Sequence, residues 1–217
     1  VNLQQQHSRF AHAFKRMPLI AILRGVKPEE AQDVANAILE EDIRIIEIPL
    51  NSPDPLRSIE KIAKSLPGDA IIGAGTVLSE AEVAAVAGAG GQLIVSPNFE
   101  RSVVTKSKAL GLVSAPGVMT PSEAFAALAA GADELKLFPG ELLSLAVIQA
   151  YAAVLPKNSA LVLVGGVKAE GLAAFRGSPI NGFGVGSSLY KPGMKAGEVR
   201  ERARAFVAAM REAGFCD

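Results

Sequence analysis

Residues Ala160–Ser188 read ALVLVGGVKAEGLAAFRGSPINGFGVGSS. Two β-like runs, Ala160–Val164 and Gly182–Val185, each run into glycine: Gly165-Gly166-Val167 after the first, Gly186-Ser187-Ser188 after the second. A doubly wound open sheet carries its glycine-rich loop after the first strand. A closed α/β barrel commonly builds an anion seat from the loops after its last two strands. Here the first β-like run, Leu19–Leu23, leads into Arg24-Gly25-Val26-Lys27, which has no Gly-x-Gly fingerprint. The position of the glycines therefore favours the barrel.

Outward from this stretch the same alternation repeats. Further β-like runs lie at Arg44–Leu50, Ala70–Ala74, Gln92–Ser96, Leu112–Ala115 and around Lys136, separated by Ala-rich helical segments. Pro28-Glu29-Glu30 suits a helix start, since proline at the first helical position and early acidic residues favour that end. Ser79/Glu82 and Thr120/Glu123 have the spacing of capping boxes. A final amphipathic helix is expected near 196–213. Eight strand–helix units in 217 residues predict an α/β fold, a single-domain (β/α)8 TIM barrel over 17–217, because such barrels commonly hold about 250 residues. Residues 1–16 are set apart as an N-terminal extension, polar and without the apolar stretch of a secretory signal.

Composition narrows the function classes. With 22 basic and 22 acidic residues the formal charge is zero, so the basic excess of a nucleic-acid binder is missing. No apolar run approaches the ~20 residues of a membrane span. Cys216 is the only cysteine; a disulfide framework is excluded, and a cytoplasmic location is the default. His7 and His12 fall in the N-terminal segment and read as solvated tail residues. No metal-ligand cluster is evident, and neither metal nor cofactor is expected.

In this barrel fold the chemistry sits at the C-terminal strand ends and the loops that follow. The unusual residues crowd there: Arg24; Glu47, Asn51 and Ser52; Gly75-Thr76; Ser96-Pro97-Asn98; Pro116-Gly117; Lys136, Phe138 and Pro139; then the two glycine turns. Glycines let backbone N–H groups approach an anion, and a following helix N-terminus would add a favourable dipole. The two turns together are read as a phosphate cradle rather than as simple tight turns.

Lys136 stands in Glu134-Leu135-Lys136-Leu137-Phe138-Pro139 and Glu47 in Ile45-Ile46-Glu47-Ile48-Pro49-Leu50. Desolvation disfavours an ammonium in such a run, and a lysine that sheds its proton can form a Schiff base with a ketone. From spacing alone Lys136 is equally a lysine reaching from a strand end to solvent, and Glu134, two residues earlier on the same strand face, could pair with it. Glu47 is either an acid/base or a structural partner of Arg24 or Lys136. Arg24 is either a rim ion pair or a carboxylate clamp. Thr76 is either a helix cap or a hydroxyl donor, with the cap favoured.

Seven segments in register, LIAILRG (19–25), EIPLNSP (47–53), GAGTVL (73–78), LIVSPN (93–98), KLFP (136–139), GGV (165–167) and GVGSS (184–188), resemble the class I KDPG/KDPGal aldolases over roughly 17–213. That resemblance implies a trimer of (β/α)8 barrels that cleaves a 2-keto-3-deoxy-6-phosphosugar acid to pyruvate and D-glyceraldehyde 3-phosphate. It implies Lys136 as the Schiff-base lysine and Glu47 as the acid/base, acting through a water. It also implies Arg24 and Thr76 on the pyruvate carboxylate, Pro97 and Phe138 lining the pyruvate pocket, and Gly165, Gly166, Gly186 and Ser187 on the phosphate. Gluconate-type relatives often carry an arginine shortly after the strand-two glutamate and a threonine before Gly-Gly. Asn51, Ser52 and Val164 stand there in this chain and resemble the galactonate type, so Val164 is the expected specificity position, with dual activity as the alternative. Two rival readings use the same barrel. A sugar-phosphate isomerase or epimerase would use Glu47 without an imine, and a non-catalytic phosphosugar binder would need neither group.

Overall fold

The computed structural model describes the backbone of residues 3–216 and the side chains of residues 7–216. Its strands are β1 Leu19–Ile22, β2 Ile45–Pro49, β3 Ile71–Gly75, β4 Leu93–Val95, β5 Val113–Ala115, β6 Gly117–Val118, β7 Leu135–Leu137, β8 Leu161–Val164 and β9 Gly182–Val185. Every pairing is parallel, in the order β5-β4-β3-β2-β1-β9-β8-β7-β6. The two ends of that order are one stave: β5 and β6 are separated only by Pro116, whose ring nitrogen carries no proton to donate. The stave still bonds on both sides. Ser96 N donates to Ala115 O at 3.2 Å, while Asp133 N and Lys136 N donate to Ser114 O and Pro116 O at 2.9 and 3.0 Å. The ring is therefore closed, and the fold is the expected (β/α)8 barrel, with its fifth stave drawn as two segments.

Its helices are α1 Leu3–Arg16, α2 Ala31–Glu40, α3 Pro55–Ser65, α4 Glu80–Gly88, α5 Arg101–Ala109, α6 Pro121–Ala129, α7 Leu145–Val154 and α8 Ala196–Glu212. The Ser79/Glu82 capping box forms in full, and Thr120 accepts from Glu123 N above a proline at the start of α6. Two expectations shift. Helix α2 starts at Ala31 rather than Pro28, because Glu30 N and Ala31 N both fold back on Lys27 O and make a turn first. After β8 the outer element is only a 3₁₀ helix, Ala169–Phe175.

Strand alternation sorts side chains into two cores. Leu19, Ala21, Ile46, Ile48, Ile72, Leu135 and Leu137 face outward into the layer beneath the helices. Ile20, Ile22, Ile45, Ile71, Val162 and Val164 fill the barrel interior. The period of two then turns Glu47 and Lys136 inward.

Helix α1 closes the barrel from below. Phe10 and Ala13 are buried in the interior cluster and Phe14 packs against it. Arg9 donates to Ala70 O at 2.9 Å. The reading of both histidines as solvated holds for His12, which is exposed. It does not hold for His7, which lies 3.2 Å from Asp133, itself paired with Lys108 at 2.6 Å. Cys216 is half-buried at this lower end, its Sγ 3.9 Å from Met17 Sδ, far from the mouth. Among the described residues no helix is long and apolar enough to cross a membrane, and no cluster of His, Cys, Asp or Glu could hold a metal ion.

Candidate active site

Lys136 and Glu47 meet in an apolar chamber at the top of the barrel interior, walled by Ile20, Ile22, Val95, Ala115, Val162 and Val164. Lys136 sits opposite Gly117 and Val162 in its neighbouring strands, and Glu47 opposite Ile22 and Gly73. Both are almost wholly removed from water, at 7% and 2% exposure. Burial holds the Lys136 ammonium below the usual lysine range; the Arg24 charge adds to that and Glu47 opposes it. Burial pushes the Glu47 carboxyl up to about 7 against the pull of Lys136 and Arg24. Its Oε2 has no hydrogen-bond partner. The Lys136 Nζ lies 4.5 Å from the centre of the Phe138 ring, a contact that favours a cation when one forms.

The alternative pairings left open by spacing are not made. Glu134 shares Lys136's strand face, but two residues rise about 6.6 Å along a strand, which puts its carboxyl at the lower end. There the charge it feels is that of Asp133. Arg24 is not bound to Glu47: its Nη1 donates to Asn51 Oδ1 at 2.6 Å. The favoured reading of Thr76 as a helix cap is wrong, because Ser79 caps the following helix. Thr76 instead stands at the end of β3 with φ +57°, a left-handed conformation that is rare for a β-branched residue.

Above the chamber opens a cavity of about 470 Å³ whose wall includes Arg24, Phe138, Val164, Gly165, Gly166, Gly186 and Ser187. Pro97 is half-buried on the β4 side, where its carbonyl comes so near Gly117 that a Cβ there would lie 2.2 Å from the oxygen. Gly165 and Gly166 adopt φ +112° and +66°, so the turn after β8 depends on glycine. Ser188 ties the two turns together, its hydroxyl donating to Val167 O at 2.7 Å. The expected dipole of an adjoining α-helix is missing. A 3₁₀ helix follows β8, and 186–190 is a turn in which Leu189 N and Tyr190 N donate to Gly186 O. Lys168 and Lys191 border the cavity instead and supply positive charge.

Two residues at the site escaped the sequence reading, and a third was read without its partner. Asn51 holds the guanidinium of Arg24; its place in EIPLNSP was visible but its partner was not. Glu141 lies against the glycine turn, its Oε2 2.3 Å from where a Gly165 Cβ would stand. Tyr190, on the cavity wall, donates to Glu30 at 2.9 Å. Neither Glu141 nor Tyr190 carried a signal in the sequence, since each is placed by a loop.

This chamber-and-cradle arrangement agrees with what the chain resembles. Residues 11–204 match the aldolase family described as KDPG and KHG aldolase. A probable 2-dehydro-3-deoxy-6-phosphogalactonate aldolase of Rhizobium meliloti is 54% identical over 192 residues, 88% of this chain and 91% of the relative. The 2-dehydro-3-deoxy-6-phosphogalactonate aldolase of Escherichia coli is 43% identical over 91% of this chain and 97% of its own length. A solved structure described as "Native KDPGal structure" superposes with a TM-score of 0.89 at 44% identity, covering 91% of this chain and 96% of its own. The order of the segments, the barrel and these matches lead to one conclusion: the chain belongs to the KDPG and KHG aldolase family.

Proposed function

We propose that the protein is a class I aldolase that cleaves 2-dehydro-3-deoxy-6-phosphogalactonate to pyruvate and D-glyceraldehyde 3-phosphate. The observation that carries this reading is the buried amine of Lys136 sharing one apolar chamber with a carboxyl poised at about 7. In the reaction the neutral amine of Lys136 adds to the C2 ketone, and uptake of one proton with loss of water leaves a protonated imine. The C4 hydroxyl gives up its proton, the C3–C4 bond breaks, and its electron pair runs into the iminium to give an enamine. C4 departs as the aldehyde of glyceraldehyde 3-phosphate. The enamine takes a proton at C3, and hydrolysis of the resulting iminium returns pyruvate, the free lysine and the proton taken up at imine formation. Glu47 receives the hydroxyl proton and returns one to carbon, assistance typically worth ~10²–10⁴-fold. Arg24, held by Asn51, and Thr76 take the keto acid's carboxylate. Pro97 and Phe138 flank the pyruvate carbons. Gly165, Gly166, Gly186 and Ser187 take the phosphate.

Val164 supports the galactonate epimer. It is 7% exposed and lays both methyl groups over Gly184, offering the C4 region methyl groups and no hydrogen bond. We further place the enzyme in the cytoplasm as a homotrimer. Met119, Phe125, Leu142, Val147 and Val154 expose apolar side chains on and beside α6 and α7, two elements tied by the Tyr151 hydroxyl donating to Met119 O, and light scattering should return three chain masses.

Borohydride reduction in the presence of pyruvate, followed by peptide mass analysis, tests the chemistry. A 1-carboxyethyl adduct on Lys136 is expected; an adduct elsewhere, or none, overturns the assignment and favours an isomerase or a binder. Release of pyruvate from the two C4 epimers, measured in parallel by coupling to lactate dehydrogenase, tests the substrate.

A further inference from the structure

Gly75 ends β3, opposite Pro49 of β2 and two residues beyond Gly73, which stands opposite Glu47. The Glu47 side chain leans up the barrel by that step and lays its carboxylate on the bare Cα of Gly75. A Cβ built there would lie 2.1 Å from Oε2 and 2.5 Å from both Cδ and Oε1. Real side chains essentially never approach below 3.0 Å. All three nearest atoms belong to the Glu47 carboxylate.

The backbone does not ask for glycine at this point. Gly75 lies within a strand and is not among the positive-φ glycines, so alanine is conformationally admissible. Gly73 makes the contrast: its Cβ would meet the Leu93 backbone carbonyl at 2.2 Å, an obstacle that cannot step aside. At Gly75 the obstacle is the far end of one flexible side chain. We infer that Gly75 is a positioning residue of the aldol reaction, its missing side chain forming the seat that fixes the Glu47 carboxylate beside Lys136 and the reacting carbons. This inference rests on the aldolase reading above for its kinetic consequence, but the seat itself is a property of the unliganded protein.

The test is Gly75→Ala, alone and combined with changes at Glu47. The methyl should drive the carboxylate from its apolar slot toward the mouth. Turnover should fall by about 10²-fold or more, the scale of lost acid/base assistance, with a much smaller change in KM. The 1-carboxyethyl adduct on Lys136 should still form on prolonged trapping. Glu47→Asp withdraws the carboxylate by one methylene, so it should cost less in the Gly75→Ala background than in the parent and restore part of the lost rate. Two readouts do not need activity. The Glu47 carboxyl titration, followed as the infrared difference against Glu47→Gln, should drop toward the ordinary carboxylate range in Gly75→Ala. Any melting-temperature loss caused by Gly75→Ala should disappear in the Glu47→Ala background. Unchanged turnover, independent losses at the two positions, an unmoved titration, or a stability loss that persists without the Glu47 side chain would each overturn the seat. A parent enzyme that neither cleaves substrate nor traps pyruvate would overturn the aldolase reading instead, leaving the titration and the stability cycle to decide Gly75.

Discussion

The barrel interior holds two buried glutamates, one at each end, and they differ in what surrounds them. Glu47, at the mouth, is pushed up to about 7 by burial while Lys136 and Arg24 pull the other way. Glu134, at the floor, is pushed up to about 8 by burial, and the neighbouring Asp133 reinforces the shift. Each leaves a buried oxygen without a hydrogen-bond partner. A displaced pKa therefore does not by itself make a reactive group. The mouth carboxyl shares its chamber with the Lys136 amine and has a cavity of about 470 Å³ above it; the floor carboxyl lines neither.

Replacing members of each end should separate chemistry from packing. Lys136→Ala should reduce cleavage to the background rate with the circular dichroism spectrum kept; retained turnover would place the nucleophile elsewhere. Glu47→Gln should lower kcat by ~10²–10⁴-fold yet still permit pyruvate trapping. In the parent, kcat/KM should climb with pH through about 7 as Glu47 loses its proton, a limb absent from the variant. Val164→Thr supplies one hydroxyl where the chamber has methyl groups, and should move the epimer ratio toward the gluconate substrate by roughly 2- to 10-fold, the worth of one hydrogen bond. A ratio that stays fixed would remove Val164 from substrate choice.

Glu134→Gln should change kcat least of all and act on stability instead. The folded carboxyl keeps its proton up to about 8, whereas the unfolded group titrates in the ordinary carboxylate range near 4.5. Between those limits the native state binds more protons, so its stability declines as pH rises and levels off above about 8. Denaturant titrations at both ends of this window should show the parent losing on the order of a few kcal/mol that Glu134→Gln keeps. Equal pH slopes would mean that Glu134 ionises freely, and the contrast between mouth and floor would fail.

Much of this was legible in the chain because it is written in local pattern. A lone lysine and a lone glutamate within apolar strands announce themselves, and their parity with outward-facing leucines and isoleucines turns both inward. Serine and threonine three residues before glutamate marked two helix starts. Features that depend on register or on distant packing were not legible. Glu134 looked like a partner for Lys136 because strand faces repeat every two residues, but the rise along the strand separates the charged ends. Thr76 looked like a cap because a helix follows; Ser79 is nearer to it. Helix α1 hid behind its polar composition, although Phe10, Ala13 and Phe14 have the spacing of one helical face. Gly75 was named with Thr76 as a strand end but given no task, since only the pairing of β2 with β3 brings a carboxylate onto it.

The stopper formed by Phe10 and Ala13 has a consequence for the opposite pole of the molecule. A tube open at both ends would let solvent percolate upward and hydrate the amine from behind. With its base corked, the mouth is the wide approach to the amine, and whatever occupies that doorway also governs how wet the reaction becomes.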